Sequence, residues 1–148
     1  MIIRKSLMKL CGSLHQLRFI PGTPAEEEAA LAAEEAVIKA VITDGNYQHF
    51  HITLSSNHQQ RAKNAMRLGN YDDAVKALSE AMKHAVEFDK MEEGGMEHYT
   101  CPILFGYTED HSEDRKEDWT MAGSVKEEAE DSIFDPIRDR EDFKALFA

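Results

Sequence analysis

The clearest periodic pattern in the chain lies between Tyr71 and Phe88. Small and apolar residues recur at i, i+3, i+4 and i+7, and charged residues occupy the positions between them. This spacing places the apolar side chains on one face of an α-helix and the charged ones on the other. The pattern therefore predicts a helix whose packed face is formed by Ala74, Ala77, Leu78, Ala81, Met82 and Ala85.

A second helix is predicted from about residue 26 to Thr43. It is preceded by TPAE at residues 23–26, which combines an N-cap threonine, a proline in the first turn and a capping-box glutamate. The sequence Asp44-Gly45-Asn46 ends it. Its many alanines predict a face that packs closely against another helix. The residues at helical spacing are Ala30, Ala33, Val37, Ile38 and Val41.

A third helix is predicted from about Gln48 to Leu68, although its first residues, YQHFHITL, also alternate as a short strand would. Ala62, Ala65 and Met66 form its apolar stripe. The residues that follow break the helix at Gly69, and Asn70 is expected to cap the next one.

The pattern weakens after Phe88. Residues 98–107 are apolar and aromatic around Pro102, and residues 108–118 are mostly polar, which predicts an irregular segment followed by a loop. A second capping box at residues 124–127 predicts a short helix to about Ser132. Two turns then lead to a C-terminal helix. The aromatic residues expected to close the end of the fold are Trp119, Phe134, Phe143 and Phe147.

Composition and charge limit the class of protein. The chain has 148 residues, with 17 Lys and Arg against 28 Asp and Glu, a net charge of −11. That balance argues against direct nucleic-acid binding, which depends on cations that neutralise phosphates. No run of 18 apolar residues and no export signal can be identified, so neither a membrane span nor secretion is expected. Two isolated cysteines fit a reducing cytoplasm.

Charge is unevenly distributed along the chain. Residues 1–20 carry Arg4, Lys5, Lys9 and Arg18 and no acid, whereas residues 109–142 are rich in Asp and Glu. A basic amphipathic N-terminal helix is expected. Two interpretations remain open: the helix meets an anionic partner, or it docks on the acidic half of its own chain.

The stretch LGNYDDAVKALSEAMKHA resembles the tetratricopeptide repeat, in which two helices pack closely across a short turn. Gly69, Tyr71, Ala74 and Ala81 match the packing positions of that repeat. His58 stands where the repeat has a bulky residue, and Arg61-Ala62 replaces the usual Leu-Gly pair, so the repeat is diverged.

The end of the chain extends this resemblance. The segments HAVEFD, HYTCPIL and FDPIRDREDFKALF are similar to the end of tetratricopeptide sensor regions that are attached to bacterial Xre-type helix-turn-helix regulators. The resemblance covers roughly residues 51–147, and no helix-turn-helix can be identified in the first 45 residues. It implies a regulatory module that binds a protein or peptide, with transcription as a connected process.

In that family, ligands contact the concave side of the first helix of a repeat. The resemblance therefore implies a partner-binding face formed by Ser56, Gln59, Lys63, Met66 and Arg67. Lys63 and Arg67 are four residues apart and could clamp an acidic peptide or a terminal carboxylate, or they could be solvated surface cations. Exposed ends of a short array also make a homodimer an expectation.

Enzymatic alternatives have weaker signals. His49, His51 and His58 lie close in sequence and suggest a small metal-dependent enzyme or metal-binding protein, but only His51 and His58 share a helix face, and a metal site needs three or four converging ligands. Cys101 near His98 is interpreted as a packed thiol rather than a nucleophile. The common phosphate-binding and acyl-transfer motifs are missing.

The sequence therefore predicts a single all-α domain of about five to six helices, a short tetratricopeptide-like array with a C-terminal capping helix. We expect a non-enzymatic, cytoplasmic interaction module with no catalytic residues, no metal and no cofactor. Its predicted parts are a basic N-terminal helix (residues 1–22), a helical array (23–90), an irregular segment (91–123) and C-terminal helices (124–148).

Overall fold

Four long helices make up the first part of the molecule in a computed structural model that describes residues 2–17, 20, 22–91, 95–111 and 118–148. A short β-hairpin and three short helices follow. In chain order the elements are α1 (Ile2–Gln16), α2 (Pro24–Val41), α3 (Phe50–Arg67), α4 (Tyr71–Asp89), β1 (Met96–His98), β2 (Thr108–Asp110), α5 (Met121–Glu128), a 3₁₀ helix (Ser132–Ile137) and α6 (Glu141–Ala145).

Helices that are neighbours in sequence are neighbours in space. α1 packs on α2, α2 on α3, α3 on α4 and α4 on α5, with α3 and α4 sharing the most extensive contact. Short connections between antiparallel helices favour this arrangement. The predicted all-α fold, an array of helical hairpins, is confirmed.

The hairpin of α3 and α4 shows why alanine is needed between its helices. Ala62 of α3 and Ala74, Ala81 and Ala85 of α4 are fully buried, so two helix backbones approach closely where larger side chains would not fit. Gly69 in the link has a φ of +74°, a conformation that L residues with a side chain rarely adopt.

Two details of this hairpin differ from the prediction. Asn70 occupies the N-cap position of α4 but its side chain makes no capping hydrogen bond. Tyr71, expected at a packing position, is 39% exposed, so its ring lies at the surface instead of between the helices.

The capping box that starts α2 is confirmed. Thr23 Oγ1 accepts a hydrogen bond from the backbone N–H of Glu26, and the Glu26 carboxylate accepts one from the N–H of Thr23. The predicted packed face of α2 is present in its second half, where Ile38 is buried and Val37 and Val41 pack against the same core, but Ala33 is exposed. The buried residues of this helix are Leu31, Glu34 and Ile38.

The segment after α4 is more ordered than predicted. β1 and β2 pair as antiparallel strands, with Glu97 opposite Glu109, where a polar loop was expected from residue 108 onward. The turn between the strands carries Cys101 and Leu104 into a core shared with Leu7 of α1 and Ile38 of α2. The predicted packed thiol at Cys101 is confirmed by its complete burial.

The α5 helix starts four residues earlier than the capping box at residues 124–127 suggests. Thr120 is its N-cap and accepts a hydrogen bond from the N–H of Gly123. Asp89, at the end of α4, accepts the N–H groups of Met121 and Ala122 at 2.8 and 2.9 Å. A carboxylate at a helix N-terminus is stabilising, and here it joins the end of one helix to the start of the next.

Aromatic residues near the C-terminus form part of a second core. Phe134 and Phe143 are buried against Ala62, Met66 and Leu78, with other apolar residues of α3 and α4. Trp119 is 40% exposed, so its expected role as a core anchor is wrong. Arg18 of the predicted basic helix and residues 112–117 of the predicted polar loop lie outside the described residues.

Candidate functional site

One face of α3 lies between α1 and the C-terminal helices. Near its start, Ser56 lines a cleft together with residues of α1 and α2. Towards its end, Lys63 Nζ forms ion pairs with Glu128 of α5 and, at 3.3 Å, with Asp131. Gln59 lies between them along the helix and is half-buried. We call Ser56, Gln59 and Lys63 the α3 inner face.

Lys63 and Arg67 are already compensated by carboxylates of the same chain. Burial alone would lower the pKa of Lys63, but the hydrogen bond and charge of Glu128 raise it above its usual value. Arg67 Nη1 donates to Asn64 Oδ1 at 2.8 Å and lies 3.9 Å from Glu27. An acidic peptide would have to compete with these internal carboxylates for both cations.

Met66 departs from its predicted role. It is only 7% exposed and packs in the core against residues of α4 and the C-terminal segment. Its side chain is therefore part of the interior and does not belong to a partner-binding surface.

A cleft of about 430 Å³ lies where α1, α2 and α3 meet. Its walls mix apolar residues with few polar groups, a composition typical of ligand sites. We call it the Glu34 cleft, and residues that line it include Met8, Cys11, Gly12, His15, Ile52 and Ser56 with Glu34 itself.

Glu34 is a buried carboxylate with incomplete hydrogen bonding. Its Oε2 accepts from Asn57 Nδ2 at 2.9 Å and lies 3.4 Å from His15 Nδ1. Its Oε1 is buried and accepts no hydrogen bond from the described residues, and the same holds for Asn57 Oδ1. Buried polar atoms without a partner are uncommon in folded proteins, so these two acceptors are candidate contacts for an ordered water or a bound molecule.

A second buried carboxylate, Glu97 of β1, is fully compensated. Arg4 of α1 donates from Nε to Glu97 Oε2 at 3.0 Å, and its Nη1 lies 3.0 Å from Glu109. Burial alone would raise the pKa of Glu97, but the hydrogen bond from Arg4 holds it below its usual value. The basic N-terminal helix therefore docks on its own chain, one of the two predicted arrangements.

The histidines do not form one site. His49, Glu97 and His111 place donor atoms within 4.8 Å of one another, a combination that zinc accepts. However, Arg4 Nη2 lies 3.3 Å from His111 Nε2 and also bonds to Glu97, so a divalent ion would sit beside a fixed positive charge. That repulsion disfavours metal binding at this position.

His51 and His58 face another region, as their seven-residue spacing predicts. His51 Nδ1 lies 3.0 Å from His84 Nδ1, and the rings of His58 and His84 are stacked. Burial lowers the pKa of His51 and of His84 to about 4, so both are neutral at pH 7. The alternative in which His49, His51 and His58 form one metal site does not fit the structure, because His49 contacts His111 and Phe88 instead.

Sequence reasoning missed Glu34 and Asn57, and it named Arg4 only as one of several basic residues of the N-terminal helix. A signal for Glu34 exists in the sequence, because it is three residues after Leu31 and four before Ile38, which places an acid on the packed face of α2. Asn57 and Arg4 have no comparable local signal. Their partners are 23 and 93 residues away along the chain.

Comparisons with known proteins provide no relative for the chain. No protein-family model matches it, and no curated protein or solved structure matches it significantly. Among the helices that the structure describes, none combines the length and apolar character needed to span a membrane.

Proposed function

We propose that the chain is a non-enzymatic regulatory module of tetratricopeptide-repeat type that binds a protein or peptide in the cytoplasm without a cofactor. The observation that carries this proposal is the position of the α3 inner face, which is flanked by α1 at one end and by α5 at the other. The sequence resemblance adds regulation, with transcription as a connected process.

Three properties of the face support binding. Ser56 and Gln59 are half-buried side chains that can hydrogen-bond to a partner. The neighbouring cleft offers apolar surface that a partner side chain can enter. The flanking helices are held in place by internal ion pairs, and a preformed surface loses less conformational freedom on binding.

Gln59 provides the sharpest test. Its described hydrogen bond is to Ser55 Oγ on the same helix, at 3.3 Å, so Gln59→Arg changes the size and charge of the face without breaking an ion pair. Lys63→Glu is a poorer choice because it would repel Glu128 and Asp131. Lys76→Gln in α4, where the lysine side chain is 79% exposed and the ion pair with Asp73 lies at the surface, serves as the control.

The measurement is capture from native lysate with the full chain and both variants, quantified by mass spectrometry, followed by an affinity measurement with the purified partner. We expect a partner that the Lys76→Gln variant retains and that the Gln59→Arg variant binds at least tenfold more weakly. Equal capture by both variants would show that the partner uses another surface. Absence of any partner would contradict the proposed function.

A further inference from the structure

The charge of Glu34 has no fixed counter-charge. The residue is 1% exposed, and in the part of the chain that the structure describes no lysine or arginine forms an ion pair with it. Its Oε1 and the Oδ1 of Asn57 are both acceptors without donors. An ionised group in the interior is costly unless it is paired. A hydrogen-bond donor with positive charge would satisfy these acceptors and also supply a counter-charge.

The contact between His15 and Glu34 leaves room for a stronger donor. His15 Nδ1 lies 3.4 Å from Glu34 Oε2, beyond the usual range for a hydrogen bond, and its side chain is 23% exposed. A cation that moves the imidazole aside replaces a weak contact with a charge-assisted hydrogen bond.

The walls of the Glu34 cleft suit an aliphatic chain. Met8 and Ile52 present apolar surface, and Cys11 adds a neutral thiol, because burial, reinforced by the charge of Glu34, raises its pKa to about 12. At Gly12 a Cβ atom would meet no other atom within 4 Å, so this wall is open. The cleft can therefore hold an alkyl arm that carries its charge to the carboxylate.

The C-terminal end of α1 also favours a cation. The C-terminal turn of α1, which includes His15 and Gln16, lines the cleft, and the C-terminal end of a helix carries partial negative charge. The net charge of the chain is −11, which attracts positively charged molecules over longer distances.

We propose that the Glu34 cleft binds a primary alkylammonium group, and that in the function proposed above this group is a lysine side chain of the partner. The ammonium donates to the carboxylate of Glu34, while the methylene groups lie against Met8 and Ile52. Only the identification of a partner lysine depends on the proposed function, because the ammonium site itself can be tested with a small molecule.

The primary test is titration of the full chain with n-butylammonium, followed by calorimetry and by NMR of backbone amides. We expect saturable binding that perturbs α1 and α3 near the cleft. Glu34→Gln removes the charge with little change in shape, and we expect it to weaken binding at least tenfold. Gly12→Met fills the cleft without altering Glu34 and should weaken binding to a similar degree.

Matched controls separate this site from nonspecific charge attraction. Glu141→Gln removes an equivalent charge from a side chain that is 92% exposed and should leave binding unchanged. n-Butanol has the same alkyl chain without the charge and should bind at least tenfold more weakly. Equal binding by the Glu34→Gln variant, equal binding of n-butanol, or no saturable binding by the wild-type chain would each overturn the ammonium site.

Two further ligands distinguish the source of the ammonium. A blocked Gly-Lys-Gly peptide should bind at least as tightly as n-butylammonium, and the same peptide with norleucine in place of lysine should not bind. If free 1,5-diaminopentane binds and the lysine peptide does not, the assignment to a partner lysine is overturned. That result would leave the capture experiment with Gln59→Arg as an independent test of the proposed function.

Discussion

Glu97 and Glu34 are both buried carboxylates, but their surroundings differ in one respect. Glu97 is fully buried against the guanidinium of Arg4 and the imidazole of His111. Glu34 is equally buried, yet its described donors are the amide of Asn57 and a distant His15. The first carboxylate has a fixed counter-charge from its own chain, and the second does not.

The comparison shows how burial alone can mislead. A buried ion pair whose partners are both fixed holds elements together, as Arg4 and Glu97 hold α1 to the β-hairpin. A buried charge without a fixed partner lowers the free energy of unfolding. Such groups are found mainly at catalytic or ligand-binding sites. Charge compensation therefore separates the structural carboxylate from the candidate binding carboxylate.

Of the substitutions considered, removal of Arg4 should cause the largest loss of stability, because it takes away the counter-charge of Glu97. Arg4→Met keeps an unbranched side chain but leaves Glu97 buried without its cation, and we expect the free energy of unfolding to fall by about 3–5 kcal/mol. Chemical denaturation followed by circular dichroism measures this loss. The double variant Arg4→Met, Glu97→Gln should recover much of it, and a double variant as unstable as the single one would mean that the loss comes from packing.

The same substitution at the two carboxylates should have opposite effects. Glu97→Gln weakens a charge-assisted interaction with Arg4 and should cost about 1.5–3 kcal/mol. Glu34→Gln removes an uncompensated buried charge and should leave the free energy of unfolding unchanged or raise it by up to about 1 kcal/mol. Parallel denaturation curves test both. If both variants lost the same free energy of unfolding, the charge of Glu34 would be compensated to the same degree as that of Glu97.

The ion pair of Glu97 and the two histidines His51 and His84 should change the stability of the fold in different pH ranges. The pKa values of His51 and His84 are about 4 in the folded chain and 6.5 for an ordinary histidine. Between pH 6.5 and 4 the unfolded chain therefore binds more protons than the folded chain. The free energy of unfolding falls as the pH drops through this range. The carboxylates of Glu80 and Glu87, with Lys39 and His58, also face this pair. The contribution of Glu97 is present above its ordinary value of 4.5 and is lost only below it.

His84→Gln should therefore reduce the loss of stability between pH 6.5 and 4.5 by about 1–2 kcal/mol, a figure lowered for partial exposure. Glu97→Gln should leave the slope unchanged there and flatten it at lower pH. Denaturation midpoints measured across the pH series distinguish the two. A slope that His84→Gln leaves unaltered would contradict the neutral state assigned to these histidines.

The smallest expected effect concerns the open wall of the Glu34 cleft. Gly12→Ala adds a methyl group where nothing lies within 4 Å and improves helix propensity in α1, so stability should rise by about 0.5–1 kcal/mol. Thermal denaturation can detect this shift. Ser13→Ala at the neighbouring exposed position is a useful control, and a loss of stability in Gly12→Ala would mean that the wall is occupied.

Local signals explain which parts of the fold could be predicted. The capping box at Thr23, the stripe of α4 and the helix break at Gly69 depend on residues within a few positions of one another, and all three are present. The pairing of β1 with β2 was missed because each strand has only three residues, too few for an alternating pattern.

The candidate sites depend on contacts that no local pattern encodes. His84 meets His51 from another helix, and Asn57 meets Glu34 across the contact between α3 and α2. The predicted binding face on α3 was selected from a resemblance, and the internal partners of Lys63 lie 65 and 68 residues later in the chain. The carboxylates that compensate the charge of Lys63 can be identified only from the three-dimensional arrangement of the helices.

The ion pair between Arg4 and Glu97 also sets an order of events during synthesis. Its two residues are 93 positions apart, so a ribosome must extend the chain past the β-hairpin before α1 can reach its final place. Until then the apolar side of α1, with Leu7 and Cys11, lacks the surface formed by Tyr99 and Leu104. α1 is thus synthesised well before the contact that fixes it to the β-hairpin can form.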